Sequence, residues 1–143
     1  MPTTTHDRSN WYEAERLHRA AEDGDIQEIE RLILAGYDVN LFDDMAYTPL
    51  HHAVLGGSIE AAKVLLRHGA SVDAHDDESI GETPLALAVQ SEHLKLVCFL
   101  LESGADPDIN GWMGLTARIR ACSRVDQLGK EMCKVMAAYP RKF

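Results

Sequence analysis

Two short apolar stripes, each closed by glycine, set the problem this chain has to solve. Residues Thr48 to Asp73 read TPLHHAVLGGSIEAAKVLLRHGASVD. Thr48 is a good N-cap, and Pro49 sits at the first helical position, where a missing N–H costs nothing. Leu50, Ala53 and Val54 form one apolar stripe, which Gly56-Gly57 breaks. Ile59, Ala62, Leu65 and Leu66 form a second at helical spacing, and Gly69 stops it where a positive φ is needed. Two helices this short cannot bury their apolar faces on each other alone. They need copies of themselves alongside.

The copies are present. Thr83-Pro84-Leu85 follows Thr48-Pro49-Leu50 by 35 residues, and Gly114-Leu115-Thr116 follows Gly81-Glu82-Thr83 by 33. Upstream, Leu17-His18 precedes Leu50-His51 by 33, as Gly24 precedes Gly57, and the stop glycines Gly36, Gly69 and Gly104 fall 33 and 35 apart. A 33-residue period carrying T-P-L-H resembles the ankyrin-repeat family. The resemblance covers roughly residues 14–140 and is most specific in the two middle repeats. It implies an all-α solenoid of about four helix-turn-helix repeats with projecting hairpin loops, near 14–46, 47–80, 81–113 and 114–140. A polar tail and docking segment, 1–13, precedes them, with Trp11 and Tyr12 expected to fold back on the open end of the first repeat.

Departures from the repeat are informative. Glu28 and Arg31 stand where Ala61 and Val64 stand one period later, as a solvent-facing end repeat requires. Ala46 takes the place of the family's glycine, and alanine resists φ > 0. Glu92 replaces the glycine matching Gly57, so an altered inter-helix turn is expected there. The second finger is two residues longer than the period allows, and the insertion adds Asp76, Asp77 and Glu78 at its tip. Gly111 replaces the family's Asp. The fourth repeat is degenerate, Thr116-Ala117-Arg118 standing for T-P-L, and Arg118, Arg120, Arg124, Lys130 and Lys134 read as the wet outer face of a C-terminal cap.

Charge divides unevenly. Residues 1–115 carry 21 acidic and 7 basic side chains, and residues 116–143 carry 2 and 7, within a net charge of −9. The acidic bulk repels nucleic acid and attracts basic surfaces, or simply keeps a repeat protein soluble. No apolar run approaches the length of a membrane span. The start, MPTTTHDRSN, lacks the basic and apolar regions of a signal peptide, which points to the cytoplasm. Cys98, Cys122 and Cys133 are odd in number and lack C-x-x-C spacing, so three reduced thiols are expected.

No catalytic, metal or cofactor pattern emerges. His51 and His52 are helix neighbours about 100° apart and do not readily chelate one ion. His51 matches the signature histidine that, in the family, hydrogen-bonds between loops, and the same structural account is extended to His18 and His68. His75 beside Asp76 and Asp77 is an open loop without a closing ligand set. Asn40 matches a family asparagine and reads as satisfying loop backbone groups.

Recognition remains. The resemblance implies that a partner lies against finger tips and inner helices. Those positions here are Phe42, Asp44, Met45 and Tyr47 in the first finger and Leu55 on the inner helix. Asp76, Asp77, Glu78, Ile80 and Glu82 follow in the second finger, with Gln90; Trp112, Met113, Leu115 and Arg124 complete the set. Aromatic residues concentrate binding energy and charged rims set encounter rate. Phe42, Tyr47 and Trp112 either present themselves to that partner or pack between neighbouring fingers. The expected function is a protein-binding module, monomeric when free, that covers a partner with a basic surface. Small acidic chains of this kind resemble bacterial ankyrin proteins that act as immunity proteins against toxins. The alternatives are a scaffold or adaptor, with the Arg118, Arg120 and Arg124 patch as a second surface, and, as a minor third reading, an enzyme using the fingers as its active site.

Overall fold

Side-chain caps begin most of the helices, and they explain where the chain turns. In a computed structural model describing residues 11–76 and 81–140, Asp25, Thr48, Ser58, Thr83, Thr116 and Asp126 each accept from a backbone N–H three residues on. The helices pair as α2 (Arg16–Asp23) with α3 (Ile26–Leu34) and α4 (Pro49–Leu55) with α5 (Ile59–Arg67). Downstream, α6 (Pro84–Gln90) pairs with α7 (Leu94–Glu102), and α8 (Ala117–Cys122) with α9 (Gln127–Ala137). A short α1 (Trp11–Ala14) precedes them, and no strand occurs among the described residues.

Each pair packs on its neighbours in two rows. The even-numbered helices stack as an inner row and α3, α5, α7 and α9 as an outer row. The core lies between the rows: Leu17, Leu50, Leu85 and Ala121 from the inner helices meet Ile29, Leu65, Leu100 and Met132 from the outer ones, all buried. Burying each large side chain of this kind contributes about 1.5–3 kcal/mol. At the open end, where Ala61 and Val64 would have neighbours, Glu28 instead pairs with Arg31 at 2.6 Å and Arg16 at 3.1 Å. The α1 segment is held by Arg19, whose guanidinium lies 3.7 Å over the Tyr12 ring while donating to the Tyr12 carbonyl. The ring itself remains mostly exposed.

Four expectations are corrected. Glu92 does not alter its turn: it adopts φ 63°, close to the 69° of Gly24 and 71° of Gly57, so the turn survives with a strained residue in it. His68 is exposed at the C-terminal cap of α5 and does not share the buried role of His51. Arg118, Arg120 and Arg124 do not form a wet outer face. Arg118 bonds Asp108 and the Met136 and Tyr139 carbonyls, Arg120 bonds Glu82, and Arg124 bonds Glu92 and Asp126. Charge-assisted bonds to Asp108, Glu82 and Glu92 of the preceding repeat, and to Asp126 of their own, hold these side chains against the fold. Finally, Cys122 and Cys133 are joined as a disulfide with Cα atoms 4.8 Å apart, and only Cys98 is a free thiol. Their separation of 11 residues fits no zinc pattern, yet it places them opposite each other across the α8–α9 hairpin.

Candidate partner-binding face

The fingers are aligned by a ladder of side chains that starts at Asn40. Its amide donates to the Gly69 carbonyl at 3.1 Å and accepts from Ser71 N–H at 2.8 Å. One repeat later Asp73 accepts from Asp106 N–H at 2.9 Å, and then Asp108 takes Arg118 through both carboxylate oxygens. Each rung ties one finger to the succeeding repeat, so the finger bases form a continuous row.

Histidines secure the first two fingers from below. His51 Nε2–H donates to the Glu82 carbonyl at 2.6 Å, while Nδ1 accepts from Thr48 N–H at 3.0 Å. Both ring nitrogens are therefore used by a neutral imidazole, and burial lowers its pKa to about 4. His18 Nε2–H donates likewise to the Leu41 carbonyl, and burial lowers its pKa too. His52 differs: its Nδ1 lies 2.8 Å from Glu22 and its Nε2 2.6 Å from Asp43, so each ring nitrogen faces a carboxylate. Asp43 also accepts from Met45 N–H and Tyr47 N–H; burial raises its pKa, but the bond with His52 and then those from Tyr47 and Met45 outweigh it and hold the carboxyl below the ordinary range.

Two finger turns share one backbone pattern. Asp43 N–H donates to the Tyr47 carbonyl and Ala46 N–H to Asp43; in the third finger Gly111 N–H donates to Leu115 and Gly114 N–H to Gly111. Ala46 occupies the left-handed region at φ 62°, as Gly114 does at 71°. The result is that Met45 and Met113 stand outward, 70% and 72% exposed, with Trp112 at 49%. Phe42 and Leu55 are more than one-third exposed beside them, and Asp44 and Gln90 are exposed.

The remaining positions named from sequence are placed differently. Tyr47 is half-buried, its ring stacked on His51 at 5.2 Å and edge-on to His52 at 5.9 Å. Leu115 and Asp76 are half-buried. Glu82 is buried, accepting from Gln90 at 3.0 Å and pairing with Arg120, so its charge is not offered to solvent. Arg124 is engaged by Glu92 and Asp126. Asp77, Glu78 and Ile80 lie outside the described residues. His75 turns its Nδ1–H onto the Asp73 carbonyl. Among the described residues no group of three or more His, Cys, Asp or Glu is placed to hold a metal ion, and no helix is long and apolar enough to cross a membrane. Sequence reasoning missed the Glu82–Arg120 and His52–Asp43 pairings. The available signal was the side-chain vacancy at Gly111, where the first finger carries Asp43.

A family model for ankyrin repeats (3 copies) matches residues 17–111. The chain belongs to the ankyrin-repeat family. The ankyrin repeats are a protein–protein interaction fold, non-catalytic in themselves. Similar proteins include the palmitoyltransferase Hip14 of Drosophila melanogaster, 36% identical over 91 residues, which is 64% of this chain and 14% of that protein. The BTB/POZ domain and ankyrin repeat-containing protein NPR5 of Oryza sativa is 36% identical over 101 residues, 71% of this chain and 19% of its own length. Ankyrin repeat and SOCS box protein 3 of Bos taurus is 34% identical over 90 residues, 62% and 17% respectively. The ankyrin chain thus spans less than a fifth of the length of these relatives.

Proposed function

We propose that this ankyrin-repeat protein binds a partner with a basic surface across its finger tips and inner helices, and acts by covering it. The observation that carries the reading is the exposure of Met45, Trp112 and Met113 on two turns held rigid by the same backbone bonds. Apolar side chains on pre-ordered turns lose little entropy when they bind. Asp44 is exposed beside them, whereas Arg120 and Arg124 are paired with Glu82, Glu92 and Asp126. A basic partner is steered to such a surface. If that partner is a toxin acting on nucleic acid, the carboxylates stand where phosphates would, and the chain serves as its immunity protein. Binding, with no cofactor and no turnover, is then the activity of these repeats, and a monomer in the cytoplasm suffices for it.

An adaptor is the second reading, favoured by relatives that carry their ankyrin segment within much longer chains. Pairing of Arg118, Arg120 and Arg124 with carboxylates weighs against the basic second surface that reading uses in the fourth repeat.

The test is affinity capture with the wild-type chain and a Met45→Ala/Trp112→Ala variant; Tyr47 is left intact because it packs on His51. One basic protein captured by the wild type, lost with the variant and inactivated on titration is the expected result. Equal capture by the variant overturns the proposed face, and two proteins held at once with their activities intact replaces inhibition by scaffolding.

A further inference from the structure

The disulfide stands at an exposed edge of the fold. Cys122 is the last residue of α8 and is exposed; Cys133, in the middle of α9, is half-buried. A shallow surface groove runs beside the two sulfurs, lined also by Arg124, Gly129, Lys130 and Lys134. Arg124 is committed to Glu92 and Asp126. Lys130 and Lys134 are exposed and have no ion-pair partner among the described residues, so their charge is available to an incoming anion. Cys98 is apart from this groove, on α7, where burial and then the nearby Glu102 disfavour its thiolate.

We propose that Cys122–Cys133 is a site of reversible thiol–disulfide exchange with an anionic low-molecular-weight thiol of the glutathione class, and that Cys122 is the sulfur attacked. The thiolate attacks Sγ of Cys122, the more exposed residue of the two. The S–S bond breaks, its electron pair leaves on Cys133 Sγ, and that thiolate takes a proton from water. A second thiolate attacks the external sulfur of the mixed disulfide and releases the Cys122 thiolate, which is protonated in turn. The protein disulfide is reduced by two electrons, and two small thiols are oxidised to one small disulfide. Oxidation runs the same steps backwards. Lys130 and Lys134 draw the anionic thiol to the groove and stabilise the departing thiolate. Reduction removes the covalent cross-link between α8 and α9 and leaves the last repeat to its noncovalent contacts, so this end of the solenoid opens more readily.

The intact chain is equilibrated with reduced and oxidised glutathione at stepped ratios, quenched in acid, labelled with a maleimide and mapped by peptide mass. A single two-electron transition confined to the Cys122 and Cys133 peptides is expected, with Cys98 labelled throughout, and with faster exchange of α8 and α9 amides in the reduced form. In the Cys133→Ser variant glutathione adds at Cys122, and in Cys122→Ser adduct formation at Cys133 is slower by about fivefold or more. A Lys130→Gln/Lys134→Gln variant slows exchange with glutathione about fivefold but changes exchange with neutral 2-mercaptoethanol less than about twofold. A dithiol at every ratio, or a disulfide that excess glutathione leaves intact until the chain is unfolded, overturns the proposal. Equal effects of the lysine variant on both thiols overturn the assignment of the thiol class.

Discussion

The first and third fingers fold through the same turn and are fastened by different chemistry. In the first, Asp43 belongs to the turn itself, takes two of its backbone N–H groups and meets His52 from the inner helix. In the third, the matching residue is Gly111, and Glu82 enters from the finger before to meet Arg120, which stands where His52 stands. A side chain at Gly111 would collide with that carboxylate. The adjoining position of the previous repeat supplies Glu22 to His52, and Gln90 as a donor to Glu82. The base of the first and third fingers therefore holds one carboxylate beside one nitrogen-bearing side chain, and the carboxylate comes from whichever position leaves room. What differs is the donor: the His52 ring offers one nitrogen to each of two carboxylates, Asp43 and Glu22, whereas the Arg120 guanidinium meets Glu82.

Acidification should separate the first two fingers from the third most widely, through the buried His18 and His51 beneath them. The folded chain holds His51 at a pKa of about 4, below its ordinary 6.5, so it binds fewer protons than the unfolded chain between those values. Stability is then full above pH 6.5 and falls as pH drops towards 4, by roughly 3 kcal/mol from this residue at about 1.36 kcal/mol per pH unit. His18 adds in the same direction. Urea unfolding across this window should show the slope, and His51→Gln should flatten it; an unchanged slope would contradict the neutral buried ring. Amide exchange should open the first two fingers before the third.

Truncation of Asp43 comes next. Asp43→Ala leaves two turn N–H groups and His52 without their acceptor, and should cost about 2–3 kcal/mol by denaturant titration. Reversing the third finger, Gly111→Asp places a carboxylate against Glu82 and should cost about 2 kcal/mol. That loss should shrink by more than half in a Glu82→Ala background, and a double-mutant cycle with no coupling would show that the two sites are independent. The smallest effect concerns the turn backbone. Ala46→Gly relieves a left-handed alanine and should stabilise by about 0.5–1 kcal/mol, while Gly114→Ala should cost a similar amount. Thermal unfolding of the two single variants resolves both signs.

Much of this architecture is legible in the residues. Stripes such as Leu50, Ala53 and Val54 name the buried side of a helix because a helix repeats its faces whatever lies opposite. Thr48, Thr83 and Thr116 announce helix starts because a cap bonds within its own four residues. The charged residues are harder. Arg118, Arg120 and Glu82 look like surface side chains in a local window, and their partners lie 10 to 38 residues away. Glu92 illustrates the reverse case: a bulky residue at a glycine position suggests a changed turn, but packing of α6 against α7 holds the conformation and the residue bears the strain. For the candidate face, exposure of Met45, Trp112 and Met113 agrees with their place as tip residues, whereas Tyr47 and Glu82 are drawn inward by neighbours that no local pattern reveals.

By itself the sequence determined the all-helical repeat, its period and its end cap, because these rest on short-range periodicity and on stop signals that act within one turn of helix. The tertiary structure decided which charges are spent and which are offered, and which two cysteines meet. Those outcomes depend on distances between segments a full repeat or a hairpin apart, and an ion pair or a disulfide forms only where packing brings its two ends within reach.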